Sequence, residues 1–152
     1  MRSCDGCTSC CSGALRLTVE DQEVWRGNPC KYICSSGCSI YDTDRKPKVC
    51  SKYQCLWLVE DTVPEWMKPS ISNVIIDIMG EIPNVNLRVV CTTGNIDAHV
   101  FGYILFLSNR LKLPISLRYI NSPDVEYPLI MNIHLNYFNA TEFTEEMEQL
   151  GL

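Results

Sequence analysis

The sequence has few of the features that indicate a nucleic-acid-binding or a membrane protein. Its 152 residues contain 13 Lys and Arg against 18 Asp and Glu, which gives a net charge of −5. Binding to nucleic acid through phosphate contacts needs a clear excess of Lys and Arg. The longest nearly continuous apolar stretch, residues 100–107, is far shorter than the ~20 residues that cross a bilayer. We therefore expect neither nucleic acid nor a membrane as a partner.

Catalytic and targeting motifs are missing as well. The chain has no glycine-rich phosphate loop and no G-x-S-x-G elbow, and its two histidines lack the spacing of a metalloprotease pair. No apolar signal-peptide segment follows Met1. We expect a cytoplasmic protein with reduced cysteines. Because the cytoplasm is reducing, the alternative of a disulfide framework is disfavoured. The sequence favours a protein that is not an enzyme.

Cysteine is the residue type that stands out in an otherwise ordinary globular composition. Ten residues are Cys, and nine of them lie before residue 56. Residues 1–55 carry 8 Lys and Arg against 6 Asp and Glu (+2), whereas residues 56–152 carry 5 against 12 (−7). Nearby cations favour ionised thiols. The cations expected to offset thiolate charge are Arg2, Arg16, Lys31, Lys46, Lys48 and Lys52.

The main motif is Cys4-x-x-Cys7-x-x-Cys10-Cys11. Two cysteines three residues apart form a turn whose thiolates converge on one metal ion. The side chains of the neighbours Cys10 and Cys11 are expected to diverge, so they serve different metals, or one of them bridges two metals in a cluster. The motif therefore predicts more than one metal ion, and the remaining cysteines before residue 56 supply further ligands.

The pattern of turns and apolar runs predicts an α+β fold in two parts that form one compact unit. Residues 1–58 are rich in turn formers and form a metal-stapled part with short helices, residues 59–69 form a charged connector, and residues 70–152 form a small antiparallel or mixed sheet with two helices. The predicted helices are 18–25, 48–58, 97–112 and 141–150, and the predicted strands are 73–79, 86–91, 115–120 and 129–138.

The first part resembles the cysteine-cluster proteins of the YkgJ type, which are described as zinc- or iron-chelating domains. The resemblance covers residues 4–55, and Trp57 with Pro64-Glu65-Trp66-x-Lys68-Pro69 is similar to the extension of longer members. Lys46-Pro47 replaces the Arg-Pro of many members. The segments that carry the resemblance are Cys4-x-x-Cys7-x-x-Cys10-Cys11, Asn28-Pro29-Cys30, Gly37-Cys38-Ser39-Ile40-Tyr41, Lys46-Pro47-Lys48-Val49-Cys50 and Tyr53-Gln54-Cys55.

The resemblance implies metal binding by the eight cysteines of the family pattern, which are Cys4, Cys7, Cys10, Cys11, Cys30, Cys38, Cys50 and Cys55. All-thiolate sites suit zinc and iron–sulfur clusters alike. The immediate succession of Cys10 and Cys11 departs from the ferredoxin spacing, which favours two or more zinc ions, with iron or an iron–sulfur cluster as the alternative. We expect a structural or protein-interaction module.

Three functional classes stay open at this point. The leading one binds another protein through its acidic C-terminal region. A relative of the domain in flagellin lysine N-methylases implies a redox or methyl-transfer enzyme or accessory protein as the second. A zinc-stapled virion or assembly component is the third.

The remaining candidate residues have structural explanations. Cys34 lies outside the family pattern and is an extra ligand, a substitute ligand or a free thiol, with ligation the less favoured reading. Cys91 lies in an apolar run and is expected to pack in the core. His134 is expected on a polar strand face, and His99 at a helix start is expected to be structural or exposed. Trp57 and Trp66 are expected to seal the cysteine-rich part to the sheet.

Overall fold

The computed structural model describes residues 2–4, 6–120 and 129–131, and within them the fold is α+β. A four-stranded sheet forms its centre, with the order β5-β6-β7-β8. Strands β5 and β6 and strands β7 and β8 are antiparallel, whereas β6 and β7 are parallel, so the sheet is mixed. The strands of the chain are β1 Leu17–Val19, β2 Gln22–Val24, β3 Ile33–Cys34, β4 Gly37–Cys38, β5 Val74–Met79, β6 Asn86–Cys91, β7 Ile115–Tyr119 and β8 Leu129–Met131.

The predicted strands 73–79, 86–91 and 115–120 are confirmed to within a residue. Their β-branched and apolar side chains fit a sheet that is buried over much of its area. Four α-helices accompany them in the described ranges: α1 Lys48–Lys52, α2 Leu56–Val59, α3 Pro69–Ser72 and α4 Ala98–Leu111. Of the predicted strand 129–138, only residues 129–131 are described. The predicted helix 141–150 and His134 lie outside the described residues.

Helix α4 confirms the prediction for residues 97–112 and connects β6 to the parallel strand β7. Asp97 caps its start, with the carboxylate accepting the backbone N–H of His99 at 2.9 Å. Lys112 ends it in the left-handed conformation, with φ 57°, and Pro114 follows. Its buried side chains pack into the same apolar cluster as strands β5, β6 and β7. We call this cluster the main core.

The predicted helix 18–25 is wrong, because the segment forms the hairpin β1–β2. Leu17 pairs with Val24 and Val19 pairs with Gln22 in an antiparallel register. Val19 and Val24 are buried with Cys30 in a second, smaller cluster, against which Cys11, Leu17, Tyr32, Ile33, Val49 and Cys50 pack. We call this cluster the small core. Thr18 and Asp21 imitate a capping box locally, but the alternation of apolar residues that reaches the small core determines the structure.

The predicted helix 48–58 is interrupted. Helix α1 ends at Tyr53, which adopts an extended conformation with φ −80° and ψ 125°, and α2 begins after Cys55. The break turns the second half of the segment inward, so that Leu56 and Trp57 are buried in the main core. Trp66 packs against the same core. Both tryptophans therefore join the cysteine-rich part to the sheet, as predicted.

Residues 59–69 contribute to the main core as well as connecting the two parts. Val63 and Met67 are each only 2% exposed, and residues 65–67 form a 3₁₀ turn that leads into α3. The described helices are all too short or too polar to cross a membrane.

Candidate metal centre

All eight cysteines of the predicted ligand set lie in the described part of the chain, and each is a free thiol. Cys10 and Cys11 begin a π-helical segment, Cys10–Ala14, Cys38 lies in β4, and Cys50 lies in α1. Cys30 and Cys55 are buried, and the other six are partly buried. None is fully exposed, which distinguishes this set from Cys34.

The Cys4–Cys7 segment forms a backbone turn. The N–H of Cys7 donates to the carbonyl of Cys4 at 2.9 Å. Arg2 holds the start of this turn against α2, because its guanidinium donates to the carbonyls of Trp57 at 2.7 Å and Glu60 at 2.9 Å. The guanidinium therefore attaches the start of the turn to the C-terminal end of α2 and to the residues that follow it.

The same turn also touches the β3–β4 hairpin. Gly37 has φ 124°, and a Cβ at this position would lie 3.1 Å from the backbone nitrogen of Gly6. A larger residue would separate the two backbones. The hydroxyl of Tyr41, just beyond β4, accepts the N–H of Cys4 at 3.0 Å. These contacts gather the cysteine-bearing segments around the first turn.

Cys10 and Cys11 contact different cores although they are neighbours in sequence. Cys10 packs against the main core, which includes Cys55. Cys11 packs against the small core, which includes Cys30, and the carbonyl of Cys11 accepts the N–H of Cys30 at 2.9 Å. The expected divergence of the two side chains is therefore seen in their packing.

Gly13 fixes the course of this segment. Its φ is 95°, and a Cβ there would lie 2.3 Å from the carbonyl oxygen of Trp25. Only glycine combines this conformation with so close a backbone approach. The segment after Cys11 is thereby held against the end of the β1–β2 hairpin.

Burial and neighbouring thiols raise the pKa values of Cys10 and Cys55. Burial raises the pKa of Cys10 far above its ordinary value, and the thiols of Cys55, Cys11, Cys7 and Cys4 raise it further. Burial raises the pKa of Cys55 to about 11, where the N–H of Leu58 opposes the effect and the thiols of Cys4 and Cys7 add to it. A metal ion that binds these thiols must displace protons.

A similar effect operates around Cys11. Burial raises the pKa of Cys11 to about 12, with the thiols of Cys30, Cys38 and Cys50 as the next causes. Burial also raises the pKa of Cys50, and the thiols of Cys30 and Cys38 add to this, whereas Lys46 lowers it. Thiols that affect each other's ionisation in this way are electrostatic neighbours.

Within residues 2–4, 6–120 and 129–131, no three His, Cys, Asp or Glu side chains are arranged to hold a metal ion as they stand. Packing and backbone hydrogen bonds bring some of the cysteine-bearing segments together. The donor set itself, eight thiols, fits a soft metal such as zinc or iron.

One of the predicted cations, Lys46, acts on the cysteines. Its Nζ lies 3.7 Å from the centre of the Tyr41 ring, and its charge opposes the burial that raises the pKa values of Cys4 and Cys50. The charge of Lys68, which was not predicted, also opposes the rise in the pKa of Cys4. Lys31 instead pairs with Glu20 at 2.8 Å and with Asp21 at 3.1 Å. The sequence does not show which lysines lie near the cysteines, because this depends on how the chain folds back toward the Cys4–Cys7 turn.

A buried polar triad beside Cys10 was also missed. The phenol of Tyr53 donates to Oδ2 of Asp77 at 2.6 Å, and Nε of Arg88 donates to Oδ1 of Asp77 at 2.8 Å. Asp77 is 5% exposed. Burial raises the pKa of Tyr53, with the thiol of Cys10 as the next cause. The sequence offered one signal for this triad, because Asp77 and Arg88 are each the only charged residue in their apolar strand. In the structure the two are direct cross-strand partners.

The residues given structural explanations behave as expected. Cys91 is completely buried in β6, and the ring of His99 stacks 4.3 Å from that of Trp66. Cys34 is exposed, with its sulfur 3.3 Å from the Ser36 hydroxyl.

No protein-family model, curated protein or solved structure matches the chain.

Proposed function

We propose that this protein binds two or more metal ions, of which zinc is the best candidate, through the thiolates of the eight patterned cysteines. The bound ions organise the N-terminal part, and the protein acts as a structural or protein-interaction module in a reducing compartment. The observation that carries the proposal is that all eight patterned cysteines are unpaired thiols and that each is partly or fully buried.

The small size of the N-terminal elements supports a structural role for the metals. Strands β3 and β4 have two residues each, and α1 has five. The small core contains only Val19, Val24 and Cys30 as buried members. Parts of proteins that bury so little apolar surface are commonly stabilised by disulfides or metal ions. Because the thiols here are unpaired, metal ions are the consistent choice.

The partner proposal rests on charge. Residues 56–152 carry 12 Asp and Glu against 5 Lys and Arg, so this part of the chain is suited to a basic protein surface. Electrostatic complementarity of this kind directs association and partner choice. The proposal concerns binding to protein and does not require catalysis.

Elemental analysis combined with X-ray absorption tests the metal proposal on protein prepared under reducing conditions without chelator. We expect at least two metal ions per chain, with sulfur as nearly the only ligand at the ~2.3 Å typical of zinc–thiolate bonds. Colour separates the metals, because iron–sulfur proteins are brown and zinc proteins are colourless. One ion or none per chain would overturn the proposal.

Matched cysteine variants provide the controls. Replacement of a ligand cysteine by serine should lower the metal content, since a neutral hydroxyl is a poor replacement for a thiolate at a soft-metal site. The positions to test are Cys7, Cys10, Cys11, Cys38 and Cys50. Cys91→Ser should leave the metal content unchanged, because that side chain is completely buried in β6. Loss of metal in Cys91→Ser would show that the measurement reports general misfolding.

A further inference from the structure

The eight cysteines do not form a single neighbourhood. They separate on either side of the Cys10–Cys11 peptide bond, because Cys10 packs on the main core and Cys11 packs on the small core. We propose that the chain builds two distinct four-thiolate metal sites. Site A consists of Cys4, Cys7, Cys10 and Cys55, and site B consists of Cys11, Cys30, Cys38 and Cys50. This inference rests on the proposed function and assigns the ligands of each ion.

Site A is assembled at the junction of the first turn with α2. The hydrogen bond between Cys7 and Cys4 closes the turn, and Arg2 attaches it to the carbonyls of Trp57 and Glu60. Cys55 immediately precedes α2, and it shares the main core with Cys10. Cys4, Cys7 and Cys10 follow one another at three-residue spacing, and Cys55 lies directly before α2, to whose C-terminal end Arg2 attaches the turn.

Site B is assembled around the small core. The N–H of Cys30 donates to the carbonyl of Cys11 at 2.9 Å. Cys30, Cys11 and Cys50 all belong to or pack against the small core. Ile33 also packs there, and its direct cross-strand partner is Cys38. The antiparallel pairing thus places Cys38 opposite Ile33, a residue that packs against the small core.

Four thiolates complete the tetrahedral coordination of zinc and leave no open position. Two such sets use all eight patterned cysteines and neither Cys34 nor Cys91. A bridged cluster would need at least one thiolate shared between the ions. The packing of Cys10 and Cys11 on different cores argues for two closed sites, which is the arrangement of structural zinc rather than of catalytic zinc.

Cadmium NMR of the full chain tests the division without any substitution. Cadmium replaces zinc in thiolate sites, and each bound ion couples through sulfur to the Cβ protons of its own ligands. We expect two cadmium resonances, one correlated with Cys4, Cys7, Cys10 and Cys55 and the other with Cys11, Cys30, Cys38 and Cys50. A cysteine that correlates with both ions, or a ligand set that mixes the two groups, would overturn the division.

Variants give an independent readout. Cys55→Ser should remove the site A resonance and retain site B, and Cys50→Ser should do the reverse, each with one ion per chain. The double variant Cys7→Ser/Cys55→Ser should still retain one ion, whereas Cys50→Ser/Cys55→Ser should retain none. Cys34→Ser is the control and should retain both resonances. Loss of both ions from each single variant would support a shared cluster instead.

The two proposals fail in different ways. If the unsubstituted chain binds fewer than two cadmium ions, the proposed function and the division both fall. If it binds two or more ions with a different pattern of correlations, metal binding stands and only the assignment of ligands is wrong.

Discussion

The cysteine-rich region and the sheet region differ in the size of their elements and in their thiol content. In the sheet region, β5 and β6 have six residues each, α4 has 14, and Ile75, Leu87 and Ile104 are completely buried. In the cysteine-rich region the strands have two or three residues. Eight buried or partly buried thiols lie there. Apolar burial accounts for the order of the sheet region, whereas we expect the cysteine-rich region to need a further source of stability.

Removal of the metal should produce the largest difference in amide protection between the two regions. Structural zinc contributes about 10–16 kcal/mol of apparent binding free energy, which is comparable with or larger than the ~5–15 kcal/mol net stability of a typical domain. After chelation under reducing conditions we expect loss of amide protection in residues 2–58 and its retention in β5, β6 and α4. Hydrogen exchange with mass spectrometry measures both. Unchanged protection in residues 2–58 would show that ordinary packing is sufficient there.

The converse experiment weakens the sheet region and leaves the thiols intact. Leu87 is completely buried, so Leu87→Ala should lower the free energy of unfolding by about 2–5 kcal/mol through lost contacts and a cavity. We expect the metal content of the folded protein to stay the same. Urea unfolding and elemental analysis check the two quantities. Ile82→Ala is the control, because Ile82 is 91% exposed and its loss should change stability by less than ~0.5 kcal/mol.

The triad of Tyr53, Asp77 and Arg88 joins the two regions, and its removal should have a smaller effect. Arg88→Met leaves the buried carboxylate of Asp77 with only the Tyr53 phenol as its described side-chain donor. We expect the free energy of unfolding to fall by at least about 1–3 kcal/mol, because an unsatisfied buried acceptor costs that much and a charged one costs more. Urea unfolding measures it. The double variant Asp77→Asn/Arg88→Met should recover part of the loss, and no recovery would argue against an electrostatic origin.

Cys34 should give the smallest effect on stability and the clearest contrast in reactivity. Hydrogen bonding from Ser36 lowers the pKa of this exposed thiol, so it carries more thiolate at neutral pH than an ordinary cysteine. As the pH is raised from acid, we expect Cys34 to be the first cysteine that is alkylated. We also expect the metal content of Cys34→Ser to be unchanged. Peptide mapping by mass spectrometry follows the order of alkylation. Full metal loss in Cys34→Ser with retention of metal in Cys30→Ser would show that Cys34, and not Cys30, is the metal ligand.

The sequence predicts the sheet region well because its signals are local. The β-branched residues of β5 and β6 and the capped apolar segment of α4 determine their elements with little help from distant residues. The hairpin β1–β2 was mistaken for a helix, since its structure depends on burial against Cys30, which lies outside the segment. The break before α2 depends on Tyr53 reaching Asp77 in the sheet.

The eight candidate cysteines stay a prediction, which rests on their spacing and on the resemblance to a family. Their neighbours could not be predicted. The hydrogen bond between Cys4 and Tyr41 and the effect of Lys68 on the pKa of Cys4 depend on the path of the chain between residues 37 and 68, which no local pattern specifies. Which cysteine contacts which core likewise follows from the packing of the whole chain.

The attachment of Arg2 to α2 has a consequence for the order of folding. The hydrogen bond from Arg2 to the carbonyl of Trp57 joins residues 55 positions apart, whereas the β5–β6 hairpin pairs Met79 with Asn86 across a short loop. Closing the longer loop loses more chain entropy, and non-local contacts slow folding. We therefore expect the β5–β6 hairpin to form early and the N-terminal turn to dock late, only after α2 has been placed on the sheet.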